Sequence, residues 1–305
     1  GFDIAVPVFH MEKPLALLLI GDIDEDERRV SPAVKHLNFI QTLTNLIAVA
    51  LENKRLTKVA LQQERDKREL ELAADMQTML IPRELPNDGA VRAAAWYLPH
   101  RQVGGDYYDV IRLNDHELAI CVADVSGKGM AAALLMSNFQ ATLRAMLGQR
   151  AMPLVQLIGE LNANVLERAR GERFITLFLG LVDTRDGTMT YVNAGHNPPM
   201  LLRSGTVTEL SDGCIALGML PDMPFVREGK AQVNGGTLMS YTDGLVEQED
   251  VYGAAFGTEP LRKTLTDFSP GGPDAVNEAL IATFEAHRAG LPYLDDIALL
   301  TCRFA

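Results

Sequence analysis

Three aspartates of this 305-residue chain stand where an apolar run meets a glycine-containing turn. Asp106 lies in Gly104-Gly105-Asp106-Tyr107-Tyr108-Asp109, Asp124 in Ala123-Asp124-Val125-Ser126-Gly127-Lys128-Gly129, and Asp243 in Tyr241-Thr242-Asp243-Gly244. A fourth position, Asp295 or its neighbour Asp296, directly precedes the final apolar run. Carboxylates at strand ends can be projected by a rigid sheet into one shared pocket. Hard divalent cations such as Mg²⁺ and Mn²⁺ take oxygen ligands and keep several waters, so a few carboxylates from distant loops are enough to hold them. Taken singly, each aspartate reads first as a turn former or a solvated residue, because Asp-Gly is a favoured turn dipeptide. The set as a whole is what points to chemistry.

Other polar groups read differently. His196, in Ala194-Gly195-His196-Asn197-Pro198-Pro199, follows an apolar run and has the composition of a structured turn, so a structural role is favoured over a catalytic one. Gly127-Lys128-Gly129 is not a nucleotide phosphate loop. That pattern needs a glycine where Val122 sits and a Ser or Thr where Gly129 sits. Gly104 and Gly105 would let backbone approach a bound cation closely. Cys121, Cys214 and Cys302 have no metal-ligand spacing, and Cys121 and Cys302 fall in strand-like apolar runs as small hydrophobes.

The elements that must position the aspartates are expected as strands over 91–97, 117–124, 174–183, 188–194, 237–242 and 297–304, each a short apolar run bounded by turn residues. Helices are expected over 130–147, 153–170 and 273–289. Strands in runs with helices grouped between them predict an α+β, sheet-rich domain. Upstream, residues 4–22 read as two short strands broken at 10–14. Residues 32–80 carry almost no Gly or Pro, and apolar residues recur at Leu37, Ile40, Leu43, Ile47, Ala50 and Leu51, the period of a long helix. Its stretch 53–68 is rich in Lys, Arg, Glu and Gln, as a solvated rod or a coiled-coil seam between two copies would be. Pro82 and Pro86 end the helix.

The 28 Lys and Arg against 40 Asp and Glu leave a net charge of −12, a field that repels nucleic acid and anionic membranes. The apolar run 14–20 is far short of the roughly 20 residues a membrane helix needs. With no secretion-type leader before it, a cytoplasmic location is expected.

Residues 104–109, 123–129, 194–199, 242–244 and 295–296 occur in the order found in the SpoIIE/RsbU type of protein phosphatase 2C-like (PPM) enzymes, and residues 70–305 resemble that family. The resemblance implies a two-sheet β-sandwich flanked by helices, with two Mn²⁺ or Mg²⁺ ions at one edge. Carried over by position, Asp106 and Asp124 hold or bridge the metals. The Val125 carbonyl adds a backbone ligand, and Asp243 and Asp295 complete one site, with Asp109 and Asp296 as second choices. Water activated between two cations would attack phosphoserine or phosphothreonine of a phosphorylated regulatory protein, of the anti-sigma-factor antagonist class. Eukaryotic relatives read Asp-Gly-His where this chain has Asp124-Val125-Ser126, so a histidine general acid is missing there.

More weakly, residues 1–52 resemble the end of a GAF-like sensor domain, about a hundred residues of which would lie upstream. The expected organisation is therefore a partial GAF-like segment (1–52), a helical linker or coiled coil supporting a homodimer (53–84) and the phosphatase domain (85–305). Linker rotation or dimerisation is the expected route of control. Two other readings stay open: a catalytically silent domain of the same fold that binds a partner, and a hydrolase of small phosphate esters.

Overall fold

A computed structural model describes residues 2, 4–10, 13–21, 36–82, 84–87, 89–149 and 152–305 of the chain. The expected start of the long helix near 32 lies outside these residues.

The chain divides into two units, Gly1–Glu69 and Leu70–Ala305. In the first, β1 (Ile4–His10) and β2 (Lys13–Ile20) form an antiparallel hairpin whose register shifts between Val8 and Phe9. Helix α1 (Leu37–Thr78) runs through the division. Its 42 residues contain neither Gly nor Pro, so no position interrupts the backbone ladder. Glu52–Arg55 and Glu64–Arg68 pair one turn apart along it. Among the described residues no helix is long and apolar enough to cross a membrane.

The second unit is built on two sheets. The first has the order β10 (Gly213–Cys214), β7 (Thr188–Ala194), β6 (Ile175–Asp183), β5 (Glu117–Val125), β4 (Tyr107–Arg112), with β11 (Gly229–Gln232) also pairing with β7. The second has the order β3 (Val91–Leu98), β13 (Ile297–Phe304), β12 (Thr237–Tyr241), β8 (Met200–Arg203), β9 (Thr206–Glu209). Successive side chains on a strand point to opposite faces, and here both faces are apolar. On β5, Leu118, Ile120 and Val122 join Phe178, Ala298, Leu300 and Cys302 in the core between the sheets. The alternate residues Ala119, Cys121 and Ala123 instead pack with Met136, Leu143, Ile158 and Leu161 of α2 (Met130–Gln149) and α3 (Leu154–Ala169). On the far side of the second sheet, Met239, Tyr241, Ile297 and Leu299 meet Leu261, Leu265, Val276, Leu280 and Phe284. Those partners belong to α5 (Glu259–Phe268) and α6 (Pro273–Arg288), which follow the single turn α4 (Asp243–Val246). The result is a helix–sheet–sheet–helix sandwich, the two-sheet α+β architecture expected from the sequence.

Candidate metal centre

The same alternation that builds the inter-sheet core decides which aspartates can meet. Asp124 follows Leu118, Ile120 and Val122 on the inward face of β5. Asp106, two residues before inward-facing Tyr108, stands on the same face. The β4–β5 register pairs Tyr107 with Ala123 and so sets Asp106 opposite Asp124. From the other sheet, Thr242 follows inward-facing Leu238 at an even spacing, and Asp296 precedes inward-facing Ala298. Two buried carboxyls placed opposite one another cannot both ionise cheaply, and the charge of Asp124 adds to burial in raising Asp106.

Hydrogen bonds tie the two sheets together at this end. Thr242 Oγ1 donates to Asp106 Oδ2 at 2.7 Å. The Gly105 N–H donates to Asp296 Oδ2 at 2.6 Å and the His100 N–H to Asp296 Oδ1 at 2.6 Å. Two glycines allow close backbone approach here: a Cβ on Gly105 would stand 3.0 Å from the Val125 carbonyl oxygen, and one on Gly244 only 2.0 Å from the Asp296 carbonyl oxygen. Gly244 therefore lets the Asp243 turn lie against the 295–296 backbone.

Asp106 and Asp296 are buried, while Asp124, Asp243 and Asp295 are half-buried, so the group grades from interior to solvent. Burial, reinforced by the charge of Asp124, holds the Asp106 carboxyl well above the usual range. Burial, then Asp243 and Asp295, push Asp124 up to about 7. Asp243 is raised by burial, Glu247 and Asp295, and Asp296 by burial against the opposing pull of its two N–H donors. Lys128 Nζ sits 2.8 Å from Asp295 Oδ2 and also donates to the Leu294 carbonyl. Among the described residues no three His, Cys, Asp or Glu side chains are gathered around one point as a finished metal cage. The donor chemistry nevertheless fits a hard cation, because the mutually raised carboxylates and a nearby carbonyl are oxygen ligands short of positive charge.

Asp109 is carried the other way. It lies on the helix-facing side of β4, fully buried, where Arg144 of α2 donates to it at 2.7 and 3.0 Å and Tyr107 Oη at 2.5 Å. Its charge is already matched. His196 is buried too, with Nδ1 2.8 Å from Thr176 Oγ1 and its N–H donating to Asn193 Oδ1. Burial lowers its pKa to about 4, so the imidazole is neutral near pH 7.

Motif reading gives two contributors no role. Thr242 orients Asp106, and only its even spacing from Leu238 along β12 hints at that direction. Gln77, near the end of α1, is buried against Gly104: its Nε2 donates to the Gly104 carbonyl at 2.6 Å and its Oε1 accepts from the Gly104 N–H at 3.0 Å. No local periodicity marks it. Replacing Gln77 by Ala would leave both backbone groups of Gly104 without these partners, at an expected loss of about 1–3 kcal/mol in urea unfolding. A change below about 0.5 kcal/mol, the scatter of surface substitutions, would show that the loop is held by other contacts.

Fold and carboxylate group together define a domain of the protein phosphatase 2C (PPM) class. The signature of the family described as Stage II sporulation protein E (SpoIIE) matches residues 114–305, and the chain belongs to that family. Protein IcfG of Synechocystis sp. is 29% identical over 97% of this chain and 50% of its own length. Phosphoserine phosphatase RsbU of Bacillus subtilis is 28% identical over 61% of this chain and 55% of its own. The chain thus spans about half the length of these curated relatives. The SiaA-PP2C domain of Pseudomonas aeruginosa superposes with a TM-score of 0.70 at 24% identity, covering 81% of this chain and all of that domain.

Proposed function

We propose that the Leu70–Ala305 unit is a metal-dependent phosphoprotein phosphatase acting on phosphoserine or phosphothreonine. The observation that supports this reading is the group of carboxylates Asp106, Asp124, Asp243 and Asp295 at one end of the sandwich, the first three held above their ordinary range and the fourth paired with Lys128. These four, with the Val125 carbonyl, would hold two Mg²⁺ or Mn²⁺ ions. Such ions supply an acidified water as nucleophile and neutralise charge on the phosphoryl oxygens. The chain's own part is orientation. Thr242 fixes the face that Asp106 presents, and Asp296, with both oxygens engaged by backbone N–H groups, positions the Gly105 loop. His196, buried and bonded to Thr176, is not placed to donate a proton to a leaving group, and solvent takes that role.

The similarity to RsbU, named a phosphoserine phosphatase, supports phosphoserine as the group attacked; the substrate proposed from the family resemblance is a phosphorylated regulatory protein of the anti-sigma-factor antagonist class. Over the linker, helix α1 exposes Leu56, Val59, Leu61, Leu72 and Met76, apolar surface suited to the seam of a homodimer, with the helix as the route of regulation. The test is phosphate release from a phosphoserine peptide and from a small phosphomonoester, with Mn²⁺, with Mg²⁺ and with excess chelator. Release from the peptide that needs the metal supports the reading. A folded chain that turns over neither substrate with any metal would instead be a silent, partner-binding domain.

A further inference from the structure

Lys128 is a cation that the structure sets against the carboxylate group. It follows Asp124 by four residues in a loop pinned on both sides. Gly127 and Gly129 adopt φ of +86° and +78°, and Arg173 Nη1 donates to the Ser126 carbonyl at 2.6 Å. From this loop the ammonium reaches Asp295 Oδ2 at 2.8 Å and the Leu294 carbonyl. Its charge is also felt at Asp243, where it lowers the carboxyl against the larger raising effects of burial, Glu247 and Asp295.

The pair is open to water, with side chains 39% and 36% exposed. An exposed lysine–carboxylate pair contributes little net free energy, because the ammonium is strongly hydrated and its stem is flexible. A divalent cation offers the same oxygen twice the charge. The geometry points to Lys128 as an exchangeable counter-ion: it neutralises Asp295 until a divalent cation takes that carboxylate, and the displaced ammonium then meets the phosphoryl oxygens of the substrate. One lysine would thus serve both loading states, sparing the metal-free site part of its self-repulsion and adding positive charge where the dianionic substrate arrives. This inference rests on the metal-binding reading of the carboxylates given above.

The experiment is calorimetric titration of Mn²⁺ into the full chain and into Lys128→Met, at low ionic strength, followed by steady-state kinetics on a phosphoserine peptide. With the competitor gone, Lys128→Met is expected to bind Mn²⁺ about two- to fivefold more tightly, the span of an exposed ion pair. It should also raise KM for the peptide more than it lowers kcat. In an Asp295→Asn background the gain in Mn²⁺ affinity on removing Lys128 should vanish, since the pair is then already broken. Lys128→Gln repeats the measurement should the methionine variant fail to fold. Equal or weaker Mn²⁺ binding by the folded variants overturns the exchange, and an unchanged KM overturns the phosphoryl contact. A parent chain that binds Mn²⁺ and hydrolyses the peptide while the variants show no shift sinks this inference alone. A parent that binds no Mn²⁺ sinks the metal-dependent phosphatase with it.

Discussion

Asp124→Asn and Asp243→Asn should each lower phosphate release from a phosphoserine peptide by on the order of a thousandfold, the scale on which removing one preorganised electrostatic group acts. The substitutions keep the side-chain shape, so the loss would come from charge. A second readout separates this from damage to the fold. In metal-free buffer Asp124 lies opposite Asp106; its charge raises the Asp106 carboxyl, while burial, Asp243 and Asp295 raise Asp124 itself. Neutralising Asp124 removes that repulsion, so the chelated variant should melt at the same temperature as the parent or higher. Lost activity with an unshifted or raised Tm places Asp124 in the chemistry. Retained activity in both variants would remove these carboxylates from the proposed mechanism, and a lowered Tm would make Asp124 a structural residue.

The second large effect is on pH and metal together. Asp124 in the folded, metal-free chain titrates at about 7, against about 3.9 for an unfolded aspartate. Between those values the folded state holds a proton that the unfolded state has released, so this group's contribution to stability falls as pH rises, by about 1.4 kcal/mol per pH unit for one full proton. Asp106, Asp243 and Asp296 are shifted in the same direction. His196 opposes them: its pKa is lowered to about 4, so it adds stability as pH rises until the unfolded histidine is itself neutral, near 6.5. Comparing unfolding in chelator with unfolding in excess Mn²⁺ cancels His196, which is present in both arms. A cation at the carboxylates takes the place of their protons, so the stabilisation by Mn²⁺ should grow steadily from pH 5 to pH 7. Urea midpoints at three pH values would show it. A Mn²⁺ effect that is flat or shrinks with rising pH would mean that the ion binds elsewhere.

What the sequence displays best is whatever repeats locally. Residues 188–194 and 297–304 read as strands from their apolar content, and the structure has those same bounds. The strand at 117–124 and the helix at 130–147 differ from the observed elements by one and two residues at the C-terminal end. Missing from that reading are β4, with its two adjacent tyrosines and buried Asp109, and the short strands β8 to β11, whose two to four residues are too few to show a period. Helix α5 is also absent from it, since its Lys, Arg, Asp and Thr residues mask a narrow apolar stripe. At the candidate centre, glycine-flanked aspartates are visible in one dimension, but the face each one takes is not. Asp106 and Asp109 sit three residues apart in one motif, yet β4 sends them to opposite sides of its sheet, one toward Asp124 and the other to Arg144. Gln77 and Thr242 act through partners 27 and 136 positions away, a separation no local signal carries.

The placement of β13 sets a constraint on synthesis. This strand is the last in chain order, yet it lies in the interior of its sheet, between β3 and β12. Asp295 and Asp296 immediately precede it, and the Gly105 loop waits 191 positions for its Asp296 partner. In a chain emerging from the ribosome β5 can pair with β4 and β6 early, but β3 and β12 gain their shared partner only when the final strand arrives. Every translation product truncated before β13 therefore carries Asp106, Asp124 and Asp243 without the strand that closes their sheet. Phosphatase activity on the proposed reading would switch on only after β13 has left the exit tunnel, so arrested or prematurely released chains would not release phosphate in the cell.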